Sequence, residues 1–368
     1  MYLKDLVDIQ MGQSPDSKFY NYDKIGLPFY QGKADFGRIN PTPKIWCSKS
    51  KKEAKPNDIL ISVRAPVGDL NINNEQSCIG RGLAAITCRP DVDMMYVYYY
   101  LKYLKPQLKH ISTGSTFESI NRIQLENLII DYKPYSEQIK ISNILQVVER
   151  EIEVKENLLR LYDLLIKSRF VELFGDVVLN TLDWPLVKLS AIAEYRIGLT
   201  YKPEAVSSSG IAVLRSGNIQ NSQLCYEDTI YVNSKVDPKL LLKKNDILMC
   251  ARNGSQSLVG KVALIENDIS NTTYGAFMMA ISSKYYVYLF EYFRSQAFRR
   301  LISVGSTTTI NQVTTRMLNS IVIPLPDQDT INRFALYHSQ INKLKSDVQK
   351  SIDETQLLMD SLMQEYFG

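Results

Sequence analysis

The chain has 368 residues, of which 45% are hydrophobic and 22% charged, and its net charge is +4. A chain of this length and composition can bury the cores of two or three globular domains, which excludes a disordered or fibrous protein. No apolar run reaches the about 18 residues of a membrane-spanning helix. No secretory signal is expected, so the sequence predicts a cytoplasmic protein.

The residues that usually carry chemistry are sparse. The five cysteines include no Cys-x-x-Cys pair, so neither a disulfide framework nor a zinc site is predicted. His110 and His338 lie far apart in the sequence. The segment 254–262 lacks the glycine spacing of a phosphate-binding loop, and no Asn/Asp-Pro-Pro-Tyr/Phe phrase of an adenine methyltransferase is present. We therefore expect no catalytic residue, metal or cofactor in this chain.

Residues 1–135 are predicted to form a globular domain of the α+β class, a mixed α/β fold of short strands with a helical stretch. The apolar run 59–63 follows a Lys-x-Asn-Asp turn and is typical of a buried strand. The segment from Met94 to Ile111 is apolar on one face and predicts a helix, and 128–130 predicts a last strand before a proline.

Residues 136–176 are predicted to form one long helix. Positions spaced alternately by four and three residues carry mostly apolar side chains, and neither glycine nor proline interrupts residues 139–174. This pattern indicates a seam that packs against another helix. At about 1.5 Å per residue, the helix would be about 54 Å long. The predicted seam residues are Ile141, Leu145, Val148, Ile152, Leu159 and Ile166.

The second half repeats this plan, with a globular domain at 177–326 and a long helix at 327–368. Residues 247–250 and 321–323 are the corresponding strands, and the segment from Tyr285 to Val304 is the corresponding helical stretch. The seam of the last helix is predicted at Phe334, Ile341, Val348, Ile352, Met359 and Leu362.

Short strings that return in the same order indicate an internal duplication of about 190 residues. Residues 57–60, Asn-Asp-Ile-Leu, return at 245–248, and Arg64 returns as Arg252. Residues 96–98, Tyr-Val-Tyr, return at 286–288. The Gly-Ser-Thr phrase at 114–116, with Ile-Asn at 120–121, returns at 305–307 with Ile-Asn at 310–311.

Charge alternates between the four segments: +4 in 1–135, −2 in 136–176, +5 in 177–326 and −3 in 327–368. A polyanion would be attracted to the two globular segments.

We expect the two helices to pair as an antiparallel coiled coil that separates the domains about a pseudo-two-fold axis. Two short DNA sites separated by about one helical turn would then face the same side of a duplex. The alternative is that each helix folds back on its own domain.

Residues that read DNA are polar and lie on loops. Arginine suits guanine edges, asparagine and glutamine suit adenine, and lysine, serine and threonine suit phosphates. Among the candidate residues, we expect DNA-sequence specificity at positions where the two halves differ, as at Gln31 and Arg215 or at Lys33 and Asn218. The candidates are Gln13, Ser14, Gln31, Lys33, Arg38, Arg64, Arg81, Ser115, Thr116 and Asn121 in the first half, and Tyr201, Lys202, Arg215, Asn218, Arg252, Asn253, Lys261, Thr307, Thr308 and Asn311 in the second.

The sequence resembles the specificity subunit of type I restriction-modification enzymes. The resemblance rests on two globular domains, each followed by a long helix, and on junctions at 134–138, Pro-Tyr-Ser-Glu-Gln, and 324–328, Pro-Leu-Pro-Asp-Gln. The repeated Asn-Asp-Ile-Leu strand and the Leu-Phe-Gly ending of the first helix at 173–175 are also similar to the family. The second junction departs from the usual Ser-Glu-Gln.

This resemblance implies that each globular domain is a target-recognition domain for one half of an asymmetric, interrupted site. It further implies that the helices dock two modification subunits, which bind S-adenosylmethionine and methylate adenine. Restriction subunits that use ATP and Mg²⁺ would join them. The chain itself would be non-catalytic. Two alternatives remain open: a coiled-coil scaffold whose repeated domains bind protein or a small ligand, and a self-contained nuclease or methyltransferase.

Overall fold

The computed structural model describes residues 1–112, 118–304 and 311–368. These residues divide into two compact units. Unit 1 comprises Met1–Asn157 and Gln349–Gly368, and unit 2 comprises Leu158–Val348. Each unit combines short strands and short helices with parts of two 40-residue helices, so the predicted mixed α/β fold is confirmed.

Unit 1 begins with strands and continues with helices. Its strands are β1 Val7–Met11, β2 Tyr20–Asn21, β3 Leu27–Tyr30, β4 Trp46–Cys47, β5 Glu53–Ala54, β6 Ile59–Ser62, β7 Leu70–Ile72, β8 Ser77–Ile79 and β9 Leu83–Cys88. Its helices are α1 Met94–Tyr103, α2 Lys105–Ile111, α3 Arg122–Glu126 and the first part of α4 Tyr135–Phe174. The end of the last helix, α8, also belongs to unit 1.

Unit 2 follows the same order. Its strands are β10 Leu186–Lys188, β11 Glu194–Ile197, β12 Val206–Ser207, β13 Ile211–Leu214, β14 Ile219–Gln220, β15 Gln223–Leu224, β16 Ile230–Val232, β17 Ile247–Cys250, β18 Val262–Leu264, β19 Thr272–Tyr274, β20 Met278–Ser282 and β21 Val322–Pro324. Its helices are α5 Tyr286–Arg294, α6 Gln296–Val304, α7 Thr315–Ser320 and the first part of α8 Gln328–Phe367.

The same sheet recurs in both units. The strand order is β1-β9-β6-β7 in unit 1 and β11-β20-β17-β18 in unit 2, with antiparallel neighbours. A second sheet in each unit contains a parallel pair, β3 with β8 and β13 with β19. The predicted strands β6 and β17 are buried at every position, because they lie in the interior of their sheets. The repeat seen in the sequence is therefore a repeat of topology.

The repeated Asn-Asp turn serves the fold. Asn57 and Asn245 both adopt the left-handed region, with φ of 68° and 71°. The buried Asp246 accepts hydrogen bonds from the Lys243 amide at 2.9 Å and the Ser282 hydroxyl at 2.6 Å. Asp58 makes the same pair of bonds in unit 1. This turn starts the central strand of each sheet, which explains why the string is repeated.

We expect Asn245→Ala to destabilise unit 2 by about 1 kcal/mol, because alanine disfavours the left-handed region. Asn245→Gly should be close to neutral, since glycine adopts positive φ without a steric penalty. Urea unfolding of the two variants measures the difference. Equal stability of the alanine and glycine variants would contradict the role given to the backbone angle.

Two predicted helical stretches are each divided. The stretch 94–111 is α1 and α2 with a break at Leu104, where Pro106 enters the first turn of α2. The stretch 285–304 breaks at Ser295, whose hydroxyl accepts a hydrogen bond from the Phe298 amide at 3.2 Å and caps α6. In each case, a residue beside the start of the second helix, Pro106 or Ser295, divides a stretch that the apolar pattern predicts as one helix.

The structure also corrects the register of two repeated phrases. Tyr96 and Tyr288 are equivalent, because each hydroxyl donates to a carbonyl in the segment ahead of the long helix, at Asp131 and at Pro324. The sequence alignment of 96–98 with 286–288 is therefore wrong by two residues. Similarly, the amides of Ile120 and Val313 bond the chain after the central strand, so the equivalent of Ile120 is Val313 rather than residue 310.

The long helices contribute to the core of each unit. In unit 1, the seam residues Ile141, Leu145 and Val148 belong to one buried cluster with Met359 and Phe367 of α8. Within the same unit, Lys155 of α4 donates to the Thr355 hydroxyl of α8 at 2.7 Å. Ile152 is also buried, whereas Ile352 and Leu362 are half-buried.

Unit 2 has a corresponding cluster. Ile166 and Phe174 of α4 pack in one core with Phe334 and Ile341 of α8. The Phe174 and Phe334 ring centroids are 5.2 Å apart, in an edge-to-face arrangement. The remaining seam positions of this unit, Leu159 and Val348, are half-buried.

Candidate nucleic-acid interface

In unit 1, the loops that follow several strands meet at one end of the sheets. The amides of Gly12 and Val63 donate to the carbonyls of Leu83 and Gly82, at 2.8 and 2.9 Å. The amide of Gly80 donates to the carbonyl of Tyr30 at 2.8 Å. The loops after β1, β3, β6 and β8 are thereby fixed beside one another.

Glycine makes this close approach possible. A Cβ on Gly12 would lie 2.2 Å from the carbonyl oxygen of Gly80, and a Cβ on Gly82 would lie 2.3 Å from that of Gln31. Both are backbone atoms, so a side chain at either position would push the loops apart. The polar residues on these loops are therefore displayed by a tightly packed backbone.

Five of the predicted residues are brought together here with exposed side chains: Gln13, Gln31, Lys33, Arg64 and Arg81. Among the described residues, no ion-pair partner lies within reach of the guanidinium of Arg64 or Arg81. Arg64 uses only its backbone in a bridge to Ser119. Amide side chains and unpaired guanidinium groups on one rigid surface can donate to base edges and phosphates.

Lys33 is held by a carboxylate at the edge of this surface. Its Nζ lies 2.9 Å from Asp69, which also pairs with Lys105 at 2.6 Å. Burial on its own raises the pKa of Asp69, but the hydrogen bonds and charges of the two lysines lower it overall. One carboxylate is thus shared by two lysines.

Other candidates in the first half have structural partners. Arg38 pairs with Glu156 on α4, and the Ser14 hydroxyl accepts from the Arg81 amide at 3.3 Å. Asn121 caps α3 by accepting from the Gln124 amide at 3.0 Å. These contacts place the three side chains in the scaffold of the surface. Ser115, Thr116, Thr307 and Thr308 lie outside the described residues.

Unit 2 brings the equivalent loops together. The amide of Gly275 donates to the carbonyl of Leu214, and the amides of Ala251 and Arg252 both donate to the carbonyl of Phe277, at 2.9 and 3.0 Å. The Asn253 side chain donates to the Ser216 hydroxyl at 3.1 Å. Arg215, Arg252, Asn253 and the loop 275–277 therefore occupy the places of their counterparts in unit 1.

Asn218 is a correction to the predicted interface. It is only 1% exposed, and its side-chain oxygen accepts from the Arg215 amide at 2.8 Å. Its side-chain nitrogen donates to the Cys225 carbonyl and the Thr229 hydroxyl. Asn218 thus accepts from the Arg215 amide as Asp35 accepts from the Gln31 amide, and both polar groups of its side chain are hydrogen-bonded within the turn. The pairing of Lys33 with Asn218 was wrong, whereas Gln31 and Arg215 are structural equivalents.

The other candidates of the second half differ in how free they are. Lys202 is exposed, and Tyr201 is half-buried. Lys261 donates to the Ile219 carbonyl at 2.8 Å, and the half-buried Asn311 donates to the Gly254 carbonyl at 3.2 Å. Both of these side chains stabilise loops of the surface. Arg215, Arg252 and Lys202 are the exposed cations of this set, and the Arg215 guanidinium donates one hydrogen bond to the Asp228 carbonyl at 2.9 Å.

The prediction missed Phe277, which lies in the middle of these loops with 60% of its surface exposed. The guanidinium of Arg252 lies over its ring, 5.3 Å from the centroid. The position equivalent to Phe277 in unit 1 is Gly82, since each carbonyl accepts from the residue after the central strand. Phe277 is apolar, so a pattern of polar loop residues does not predict it; the signal in the sequence is an aromatic residue aligned with a glycine.

The described residues offer neither a metal site nor a membrane-spanning helix. No group of three or more His, Cys, Asp or Glu side chains there has a geometry that could hold a metal ion. None of the helices described is long and apolar enough to cross a membrane.

Comparison with known proteins gives first the class of fold. A solved S subunit of a type I restriction-modification system from M. genitalium superposes with a TM-score of 0.58, covering 100% of this chain and 95% of that one at 16% identity. The model of the type I restriction modification DNA specificity domain matches residues 1–160 and 181–356. The chain belongs to this family.

Two relatives come from Methanocaldococcus jannaschii. The putative type I restriction enzyme MjaX specificity subunit is 46% identical over 148 residues, which are 40% of this chain and 35% of that protein. The type I restriction enzyme MjaIX specificity subunit is 22% identical over 397 residues, covering 98% of this chain and 90% of that protein. The aligned region thus spans about a third of the MjaX protein and most of the MjaIX protein.

Proposed function

We propose that this chain is the DNA-sequence specificity subunit of a type I restriction-modification enzyme. Unit 1 and unit 2 each read one half of an asymmetric, interrupted site, and the chain itself carries no catalytic centre. The observation that carries the proposal is a pair of equivalent loop surfaces with different side chains. Gln31 and Arg81 of unit 1 are replaced by Arg215 and Ala276 in unit 2, on the same backbone.

This difference has a physical consequence. Glutamine in the major groove pairs with adenine, whereas arginine pairs with guanine. Equivalent positions in a shared scaffold would face equivalent base pairs, so exchanging Gln31 for arginine changes the base that is preferred. Two such surfaces in one chain would therefore read two different half-sites.

The long helices would set the spacing and bind the partner subunits. α4 and α8 each have 40 residues, or about 60 Å of helix at about 1.5 Å per residue. Val147 and Val154 of α4 in unit 1, and Leu161 in unit 2, recur every seven residues with 55–63% of their surface exposed. An exposed apolar stripe with this spacing fits helices of another subunit. S-adenosylmethionine, ATP and Mg²⁺ would be bound by the modification and restriction subunits.

Selection from a random DNA pool tests the proposal. The full chain, assembled with its modification subunits, should enrich a motif of two defined segments separated by an unread spacer. The logarithm of the binding constant should fall linearly with the logarithm of salt concentration, because phosphate contacts release counterions. Enrichment of no motif with a flat salt response would contradict it and favour a scaffold that binds protein. Turnover of DNA by the chain alone would contradict its non-catalytic role.

A further inference from the structure

The exposed ring of Phe277 sits where unit 2 would meet a base pair. Arg215, Arg252 and Asn253 surround the loop 275–277, and the Phe277 carbonyl is fixed by two amides of the chain after β17. The ring is thus carried by a rigid backbone rather than by a free loop end. A fixed aromatic side chain among donors for base edges has the character of a contact residue.

We infer that Phe277 makes an apolar contact with the 5-methyl group of a thymine in the half-site read by unit 2. Within the major groove, the apolar group presented by a base pair is the thymine methyl. Phe277 has no hydrogen-bonding group in its side chain, so it distinguishes bases only through such an apolar surface. This inference rests on the proposed function.

The position of Arg252 restricts how the ring can be used. Its guanidinium covers one face of the Phe277 ring, with 5.3 Å between the guanidinium carbon and the ring centroid. A base cannot stack on that face, which leaves the ring edge and the other face for DNA. The ring in turn holds Arg252 in place by a cation–π contact. The pair therefore presents an apolar edge beside a guanidinium group.

Unit 1 cannot make this contact. Gly82 occupies the equivalent position, and the Gln31 carbonyl would lie 2.3 Å from a Cβ there. The two units therefore differ at this point by a complete aromatic side chain. Methyl sensitivity is expected in one half-site only at this place in the scaffold, which gives the inference an internal control.

The test replaces each thymine of the enriched motif by deoxyuridine, which removes only the methyl group. One position in the unit 2 half-site should lose about four-fold in affinity with the wild-type complex, as expected for one buried methyl group. Phe277→Ala should weaken binding to the thymine duplex and abolish the difference between thymine and deoxyuridine at that position. Phe277→Leu, which keeps an apolar side chain, should retain part of the difference.

The controls separate this inference from the proposed function. Tyr22→Ala removes an aromatic residue of unit 1 that is 77% exposed, and it should leave the unit 2 half-site and its methyl effect unchanged. A wild-type complex that enriches no motif would overturn the proposed function. A wild-type complex that enriches a motif but shows the same thymine preference after Phe277→Ala overturns the inference alone. So does a ring that unstacks a base step, detected by 2-aminopurine fluorescence, without any methyl effect.

Discussion

Replacing Arg64 and Arg81 together with alanine is expected to weaken binding to the full site by about 100-fold. Each arginine that contacts a base edge or a phosphate in the groove contributes about 1–3 kcal/mol, and a loss of 1.4 kcal/mol is a tenfold loss of affinity. Both side chains are exposed on the converging loops of unit 1 and lack an ion-pair partner among the described residues. Their loss therefore removes contacts without leaving a buried charge.

The effect should be confined to the half-site read by unit 1. Substitutions in that half of the enriched motif should cost the double variant less than they cost the wild type, whereas the cost in the other half should be unchanged. Arg64→Lys with Arg81→Lys should keep most of the salt dependence but lose base discrimination, because lysine lacks the planar fork of arginine. Binding by fluorescence anisotropy on a panel of single-substituted duplexes measures these differences.

Arg89→Ala is the matched control. Arg89 is also exposed, but it lies just after the last residue of β9, whereas Arg81 lies just before the first. The Arg89 side chain donates to the Lys4 carbonyl at 3.3 Å. Its removal should change the affinity by less than about three-fold, and thermal unfolding of both variants should remain close to that of the wild type. Wild-type affinity and an unchanged motif in the Arg64/Arg81 variant would show that these loops do not face DNA.

Patterns that depend on near neighbours in the chain were predictable from the sequence. The strands β6 and β17 and the extents of α4 and α8 follow from apolar spacing and from the absence of glycine and proline. The shared topology followed from the repeated strings, but their register did not. The amide hydrogen bonds of Ile120 to Val63 and of Val313 to Ala251 make these two residues equivalent, three residues along from the repeated phrase at 310–311.

The roles of single loop residues could not be predicted for a different reason. Asn218 and Gln31 both carry side-chain amides on loops, yet Asn218 is buried and hydrogen-bonded within a turn, whereas Gln31 is exposed. The difference depends on whether a neighbouring amide needs an acceptor, which is a property of the folded turn. Phe277 was missed because its exposure results from the two backbone hydrogen bonds that fix its loop, and residue type alone suggests a core position.

Glu291→Gln is expected to lower the free energy of unfolding of unit 2 by about 3 kcal/mol, the lower end of the range for breaking a buried ion pair. The Glu291 side chain is 4% exposed, lies 2.5 Å from Arg294 and 3.5 Å from Nε2 of His338 on α8. Arg294 also lies 3.7 Å from Asp163 of α4, which pairs with Lys345. The carboxylate thus neutralises a cationic group between helices.

Tryptophan fluorescence can follow unit 2 alone. The chain has two tryptophans, and Trp46 lies in unit 1 while Trp184 lies in unit 2. In a Trp46→Phe background, urea unfolding reported by Trp184 measures the loss. Glu172→Gln is the control, because Glu172 pairs with Arg169 but is 63% exposed, and its change should be below about 1 kcal/mol.

The same carboxylate predicts how the loss depends on pH. Burial, the largest influence, raises the pKa of Glu291, but hydrogen bonds and charges from His338 and Arg294 lower it overall below the ordinary value. A group whose pKa is lowered on folding stabilises the folded state fully above its unfolded pKa, about 4.3 for glutamate. This contribution is lost as the pH falls through the folded value. The stability difference between wild type and Glu291→Gln should therefore shrink as the pH falls below about 4.3. A difference that grows on acidification would mean that burial outweighs the cationic partners and that Glu291 is held protonated.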